Sequence, residues 1–375
     1  MNKIKVIIIN LWKLINNFIY TFYKLLRTKN KVTFISRQTN GKSLDFDLLI
    51  EEIKKQDSNI EIVVLNKMIE KNILEKIKYA FYIYYQMYHI ATSKTVVLDG
   101  YCIPICTLKH KKNLKVIQIW HALGALKKFG YSILDKKEGS KTDIAVTMNM
   151  HRNYTYILTS SEFAKPFFME AFNAKEEQMR VIPLPRVEFL KSNTHKERID
   201  KKFYSYYSIL EKDNKKKILY VPTFRRNTEE NFEKIIDLVD YKKFDLIIKS
   251  HDDTEIVCHS NDEKYSEKTN FSGMELLHVA DYVITDYSAI AFEAAVANKP
   301  IYFYNYDYET YIDGRGFYID YEKEMPGIIS KDIKEILNSI ENEKYDYFKL
   351  EKFRQKYVID IENCTREILK LIIEK

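Results

Sequence analysis

The chain is poor in the residues that punctuate and cross-link small folds: 375 residues contain 9 glycines, 7 prolines and 4 cysteines. Cys102, Cys106, Cys258 and Cys364 lack the paired spacing of a zinc site and are too few for a disulfide framework, which suits a reducing cytosol. No acidic metal cage is evident, so no metal or other cofactor is required, although magnesium escorting a diphosphate is compatible with the sequence. Long uncharged apolar runs are also missing. Lys5, Lys13 and Lys24 interrupt the stretch 4–26, Asn10, Asn16 and Asn17 dilute it, and no small-residue cleavage site follows. It therefore never reaches the roughly 18 apolar residues of a spanning helix, and it does not read as a signal peptide. Internal repeats and low-complexity tracts are absent. The net charge of +7 is spread along the chain rather than gathered in a block. That gives no sign of nucleic acid and suits an anionic membrane surface or an anionic substrate. What remains is a folded globular composition, 46% hydrophobic and 30% charged, long enough for two domains of about 150 to 200 residues.

Asn10, Lys13, Asn17, Thr21 and Lys24 recur at steps of three and four, so they share one stripe of a helix whose other faces carry Ile, Leu, Trp, Phe and Tyr. Such a helix can lie in a membrane interface, with Trp12 and Tyr20 near the headgroups, or pack on the core of the first domain.

From Lys31 the pattern alternates strand and helix: strands at 32–36, 60–65 and 95–98, helices at 44–55 and 68–92. This predicts a doubly wound parallel sheet. The aromatic run from Tyr79 to His89 is expected to be core or membrane-facing rather than a base-stacking platform. A strand through Ile119 delivers Trp120 and His121 to its C-terminal end, followed by Gly124, which permits close backbone approach, and by Lys127 and Lys128. Further strands are expected at 156–159 and 180–184, and a charged interdomain region between about 185 and 215.

The second half restarts the alternation. One strand ends at Pro222, with Thr223, Arg225 and Arg226 on its loop; the next ends in Lys249, Ser250 and His251. A third runs through Tyr282–Ile284 into Thr285-Asp286-Tyr287-Ser288, where Asp286 or Ser288 can cap the helix 289–297. A parallel sheet brings these three ends to one cationic, donor-rich crevice suited to a diphosphate.

Ile119-Trp120-His121 with Gly124 and Lys127, Pro222-Thr223-Phe224-Arg225, Lys249-Ser250-His251, Ile284 to Ser288, and Tyr311 to Tyr318 with Pro326-Gly327 together resemble the CDP-glycerol glycerophosphotransferase family of teichoic-acid synthesis. The match runs in order from about Lys115 to Ser330. The resemblance implies a GT-B-like α/β fold, two Rossmann-like doubly wound domains with an N-terminal amphipathic helix. The expected divisions are 1–29 for the interface helix, 30–195 for the acceptor domain, 210–345 for the CDP-donor domain, and 346–375 for C-terminal helices that can pack back on the N-terminal domain. It also implies peripheral attachment to the cytoplasmic face of the membrane, with Trp12, Lys13, Phe18, Phe22 and Lys24 as the contacting set. Trp-His-Ala-Leu-Gly-Ala-Leu-Lys departs from the Trp-His-Gly-Thr-Pro-Leu-Lys of family polymerases, so primase and polymerase both stay open.

The expected reaction moves glycerol phosphate, or a related alditol phosphate, from a CDP-alditol donor to a hydroxyl of a lipid-linked glycan acceptor, releasing CMP. His121 is the expected general base, since an imidazole accepts a proton readily near neutrality. His251, Lys249 and Arg225 are expected to balance diphosphate charge, Thr285 and Ser288 to donate hydrogen bonds to it, and Arg315 to close from a Gly-flanked loop. Asp286 is expected to orient His251 or cap its helix, and Pro222, Thr223 and Glu293 complete the donor set. Gly124, Lys127 and Lys128 belong to the acceptor side. The alternatives are a ribitol-phosphate transferase of the same family, a GT-B nucleotide-sugar glycosyltransferase, and a non-catalytic scaffold whose basic crevice binds anionic polymers.

Overall fold

The computed structural model describes residues 2–70, 72–208, 210, 215–223, 232–249, 255–260, 263–268 and 271–374. The chain forms two α/β units. The first comprises Met1–His121, Lys128–Pro185 and Ile361–Lys375; the second comprises Ala122–Lys127 and Arg186–Asp360.

In the first unit, six strands β1 (Lys31–Ser36), β2 (Glu61–Asn66), β3 (Thr95–Leu98), β4 (Lys115–Gln118), β5 (Tyr156–Thr159) and β6 (Met179–Val181) form one sheet. Their order is β2-β1-β3-β4-β5-β6, and every neighbouring pair is parallel. The central strands are short apolar runs because helices cover both faces of such a sheet; all four residues of β3 are buried. The chain first steps from β1 to β2 and then returns to β1's other side with β3, so the winding reverses between β1 and β3. Doubly wound sheets take their ligands at the C-terminal strand ends beside such a reversal. The last helix, Cys364–Ile373, also lies in this unit, where its Ile372 carbonyl accepts from the Thr95 hydroxyl (2.8 Å).

The second unit carries β7 (Lys216–Tyr220), β8 (Phe244–Lys249), β9 (Glu255–Ser260), β10 (Glu263–Lys268), β11 (Tyr282–Thr285), β12 (Ile301–Tyr304) and β13 (Ile329–Ser330). The order is β10-β9-β8-β7-β11-β12-β13, with the reversal between β7 and β11. Its parallel core runs from β8 to β13, but β9 and β10 extend it antiparallel, which the expected alternation did not include. Ile218, Ile248, Ile284 and Tyr302 lie in the core on this sheet. The charged stretch expected to connect the domains includes the helix Asn193–Tyr206, which buries Ile199 and Phe203. Phe203 meets Phe271 edge to face at 5.4 Å within the unit.

Asn2–Tyr23 is a helix of the first unit, docked with a sidedness opposite to ordinary core packing. Asn16, Asn17 and Lys13 face the protein, while Asn10 and Thr21 are exposed: Asn17 donates to the Thr107 carbonyl (3.2 Å) and accepts from the Lys109 N–H (2.8 Å), and Lys13 donates to the Thr147 carbonyl. Tyr20 is buried and hydrogen-bonded to His110 Nδ1 (3.0 Å), so it is no headgroup contact, and Trp12 is half-buried. Ile4, Ile7, Ile8, Leu11, Leu14, Ile15, Phe18 and Phe22 recur at helical spacing and are all exposed, Phe18 by 68%. The helix Ile73–Thr92 meets it through Tyr88 and Tyr23, and it buries Tyr79, Ile83 and Met87 while exposing Ile73, Leu74, Ile77 and Phe81. Among the described residues no helix is long and apolar enough to cross a membrane.

Candidate active site

In the first unit the loop Asp99-Gly100-Tyr101, just past β3, is held by three side chains from neighbouring strand ends. His121 Nδ1 lies 2.8 Å from the Asp99 carbonyl, Gln118 Nε2 donates to the Gly100 carbonyl at 2.9 Å, and Arg37 Nη1 donates to the Tyr101 carbonyl at 3.0 Å. A carbonyl oxygen only accepts, so Nδ1 of His121 carries the proton and the lone pair of the neutral ring resides on Nε2. The other oxygen-bearing end of Gln118 accepts from the Trp120 N–H (3.0 Å), which fixes the turn out of β4.

That turn is strained. Trp120 has φ of +63°, a left-handed conformation costing a side-chain-bearing residue about 1 to 2 kcal/mol. Its indole stacks on Phe129 (4.8 Å, 19°) and meets Phe172 edge on (5.1 Å), contacts that offset the strain and turn the chain so that His121 reaches back to β3. A second histidine of this cluster, His151, is buried against Phe172 and bonded to the Tyr154 hydroxyl (3.1 Å). Burial pushes it down to about 3, so the ring is neutral, with a single N–H, at working pH. Lys128 belongs to this unit and is half-buried.

In the second unit the β7 and β11 loops are tied across the winding reversal. Both oxygens of the buried Asp286 carboxylate accept from the Thr223 N–H (2.9 and 3.1 Å), and Oδ1 also accepts from the Tyr287 N–H (2.6 Å). Asp286 therefore does not cap the following helix, Ile290–Val296, whose N-cap is Ala289 without a side-chain bond. Ser288 Oγ sits 3.4 Å from the Ile290 N–H, at the limit of a hydrogen bond. Thr285 donates its hydroxyl to the Val221 carbonyl (2.7 Å), a second tie between the same loops, rather than presenting that proton outward. Pro222 and Thr223 are buried beside it, and Lys249 ends the adjacent β8 half-buried, its ammonium pushed down by desolvation. Arg225, Ser250 and His251 lie outside the described residues, so the proposed partnership of Asp286 with His251 does too.

Glu293 is buried and forms an ion pair with Arg186 (2.9 Å), which follows the segment Pro183-Leu184-Pro185. Gly124 is needed for close approach: a Cβ there would lie 2.7 Å from Phe292 Cζ. Lys127 donates to the Tyr311 hydroxyl (3.1 Å) and pairs its backbone with Phe317, while the Leu126 carbonyl accepts from the Tyr318 N–H. Tyr311 in turn stacks on Tyr287 at 4.1 Å. Arg315 is the last residue of the helix Tyr308–Arg315 rather than part of a free loop; Gly316, at φ of +81°, ends that helix. Among the described residues no group of three His, Cys, Asp or Glu could hold a metal ion.

Two doubly wound α/β units, each with side-chain ties across the reversal point of its sheet, are of the GT-B-like class. The family model described as CDP-Glycerol:Poly(glycerophosphate) glycerophosphotransferase matches residues 18–374, and the chain belongs to that family. Among its relatives, the teichoic acid ribitol-phosphate primase of Bacillus spizizenii is 31% identical over 364 residues, covering 93% of each chain. The teichoic acid glycerol-phosphate primase of Bacillus subtilis is 28% identical over 378 residues, covering 95% of this chain and 94% of that protein. A solved structure of the wall teichoic acid polymerase TagF superposes with a TM-score of 0.73 at 18% identity, covering 98% and 97%, and supports the fold.

Proposed function

We propose that this transferase moves an alditol phosphate from a CDP-activated donor to a hydroxyl of a lipid-linked acceptor. The acceptor oxygen attacks the phosphorus that bears the alditol, a new O–P bond forms, and the bond from that phosphorus to the bridging oxygen breaks. CMP leaves with the bridging oxygen, and the hydroxyl proton passes to Nε2 of His121. The observation carrying this reading is the Nδ1–H bond of His121 to the Asp99 carbonyl, which gives Nε2 the lone pair that a base needs. Positioning and charge neutralisation supply most of the remaining acceleration in phosphoryl transfer. Lys249, Arg225, His251 and Arg315 are the cations assigned to the diphosphate, with magnesium as a compatible escort and the Thr223–Asp286 tie holding the loops that carry the donor site. Glycerol phosphate and ribitol phosphate are both candidate groups, since relatives at 28% and 31% identity are primases for each.

The membrane face of the cytoplasm is the proposed location, supported by the outward apolar stripe of Asn2–Tyr23. Phe18 and Phe22 are assigned to the lipid side, Lys24 to its border, and Lys13 and Trp12 to docking the helix. The deciding experiment incubates the protein with a defined lipid acceptor and CDP-glycerol, CDP-ribitol or a UDP-sugar, following nucleotide release and product mass. CMP release with a product heavier by one or more alditol phosphates is expected. UDP release with a glycosylated product would replace this reading by the glycosyltransferase, and turnover that survives His121→Ala would displace the base.

A further inference from the structure

Arg37 immediately follows β1, at the β1/β3 reversal where doubly wound sheets take their ligands. Its Nη1 is held by the Tyr101 carbonyl, and its guanidinium carbon lies 5.7 Å from the centre of the Tyr101 ring. Its Nε is buried and donates to nothing among the described residues, and none of their carboxylates forms an ion pair with it. A guanidinium is charged at every working pH, and desolvating it without an anion is costly. The group is thus oriented by one carbonyl, braced on a ring, and short of one acceptor. Its planar fork matches the oxygens of a phosphate.

The neighbouring geometry says what such a phosphate belongs to. Arg37 and His121 hold two ends of the same three-residue loop, Tyr101 and Asp99. They emerge from β1 and β4, which flank β3, so their backbones are two strand spacings apart, about 10 Å. An acceptor hydroxyl at His121 would leave the far end of a short polyol directed at Arg37. We propose that Arg37 binds the phosphodiester of an acceptor that already ends in an alditol phosphate, making the protein prefer such an acceptor to a bare glycan. This rests on the reading of His121 as the base for the acceptor hydroxyl.

The test is steady-state kinetics with two soluble acceptors identical except that one ends in an alditol phosphate and the other in the unphosphorylated alditol. Arg37→Ala is expected to raise KM for the phosphate-bearing acceptor about ten- to a hundredfold, the range of one charge-assisted hydrogen bond. Any change in kcat or in the neutral acceptor's KM that follows from loosening the Asp99–Tyr101 loop should be common to both acceptors, so the ratio of their KM values carries the effect, and the donor's Kd should move less than twofold. Arg37→Lys should recover part of the loss, because a point charge replaces a fork. Should Arg37→Ala lose its cooperative thermal transition, Arg37→Lys and Arg37→Gln carry the same comparison, since both keep a donor for the Tyr101 carbonyl. Equal losses on both acceptors would reduce Arg37 to a brace for the loop and overturn the inference, as would an unchanged KM. Absence of CMP release by the unaltered protein would overturn the underlying reading and this inference with it, whereas normal turnover with an indifferent Arg37 overturns this inference alone.

Discussion

Replacing Phe18 and Phe22 by Ser separates membrane attachment from folding. Both rings project from the N-terminal helix and meet each other edge to face at 5.3 Å, with 68% and 58% exposure in the folded protein. Removing them deletes almost no internal contact, and Ser and Phe have similar helix propensity, so folding stability should change by less than about 0.5 kcal/mol. Transfer of each ring into an acyl boundary recovers part of the roughly 1.5 to 3 kcal/mol of a fully buried large side chain, about 1 to 2 kcal/mol each. The pair together should lower partitioning onto anionic vesicles by about 30- to 10³-fold. Sedimentation with vesicles and a thermal melt on the same preparation read the two quantities independently. The complementary variant is Asn17→Leu, which removes the bonds to the Thr107 carbonyl and the Lys109 N–H and should cost about 0.5 to 1.5 kcal/mol of stability per bond while leaving vesicle affinity nearly intact. Unchanged vesicle binding by a folded Phe18/Phe22 double variant would refute the apolar stripe as the attachment face. A large drop in its melting temperature would show that the rings are packed rather than exposed. Deleting residues 1–28 would be a poorer experiment, because Tyr20 and Asn16 are buried in the first unit and their loss confounds the two effects.

His121→Ala should lower turnover by about 10² to 10⁴-fold while donor affinity, measured calorimetrically, stays near that of the unaltered protein; loss of donor binding without a separate effect on chemistry would contradict the base. Within the second unit, Arg186→Ala or Glu293→Gln removes the ion pair made by the buried Glu293 carboxylate and should cost up to about 3 to 5 kcal/mol in urea denaturation. Leu at both positions should recover most of that loss, and simple addition of the two single effects would show that the pair is not coupled.

The strands were legible because a parallel strand buried on both faces has to be a short apolar run, and Thr95–Leu98, Tyr156–Thr159 and Tyr282–Thr285 are such runs. The alternation passed over Glu255–Ser260, whose apolar run is only Ile256-Val257-Cys258 between polar residues, and Glu263–Lys268, which has no apolar run. His121 was visible by residue type at a strand end; its partner was not, since the Asp99 group that fixes its tautomer is a backbone carbonyl, which every residue has. Arg186 gave no signal because its partner, Glu293, is more than a hundred residues away. The roles expected of Thr285 and Asp286 followed from reading their loop in isolation. Once β11 pairs with β7, the nearest unsatisfied groups are the Val221 carbonyl and the Thr223 N–H, and both side chains turn to them.

The N-terminal helix shows the limit of periodicity most directly. Its stripe of polar residues is readable from spacing, and so is its apolar face, but spacing carries no information about which of the two meets the protein. That is decided by what the first unit offers: carbonyls at Thr107 and Thr147, an N–H at Lys109 and an imidazole at His110, 90 to 134 residues further along the chain. Polar partners on the docking surface select the polar side of the helix, since each Asn or Lys left against an apolar wall would lose hydrogen bonds worth about 1 to 3 kcal/mol. The apolar side then turns outward by elimination. The exposed apolar stripe on which the proposed lipid boundary rests is thus set by the docking contacts rather than by hydropathy.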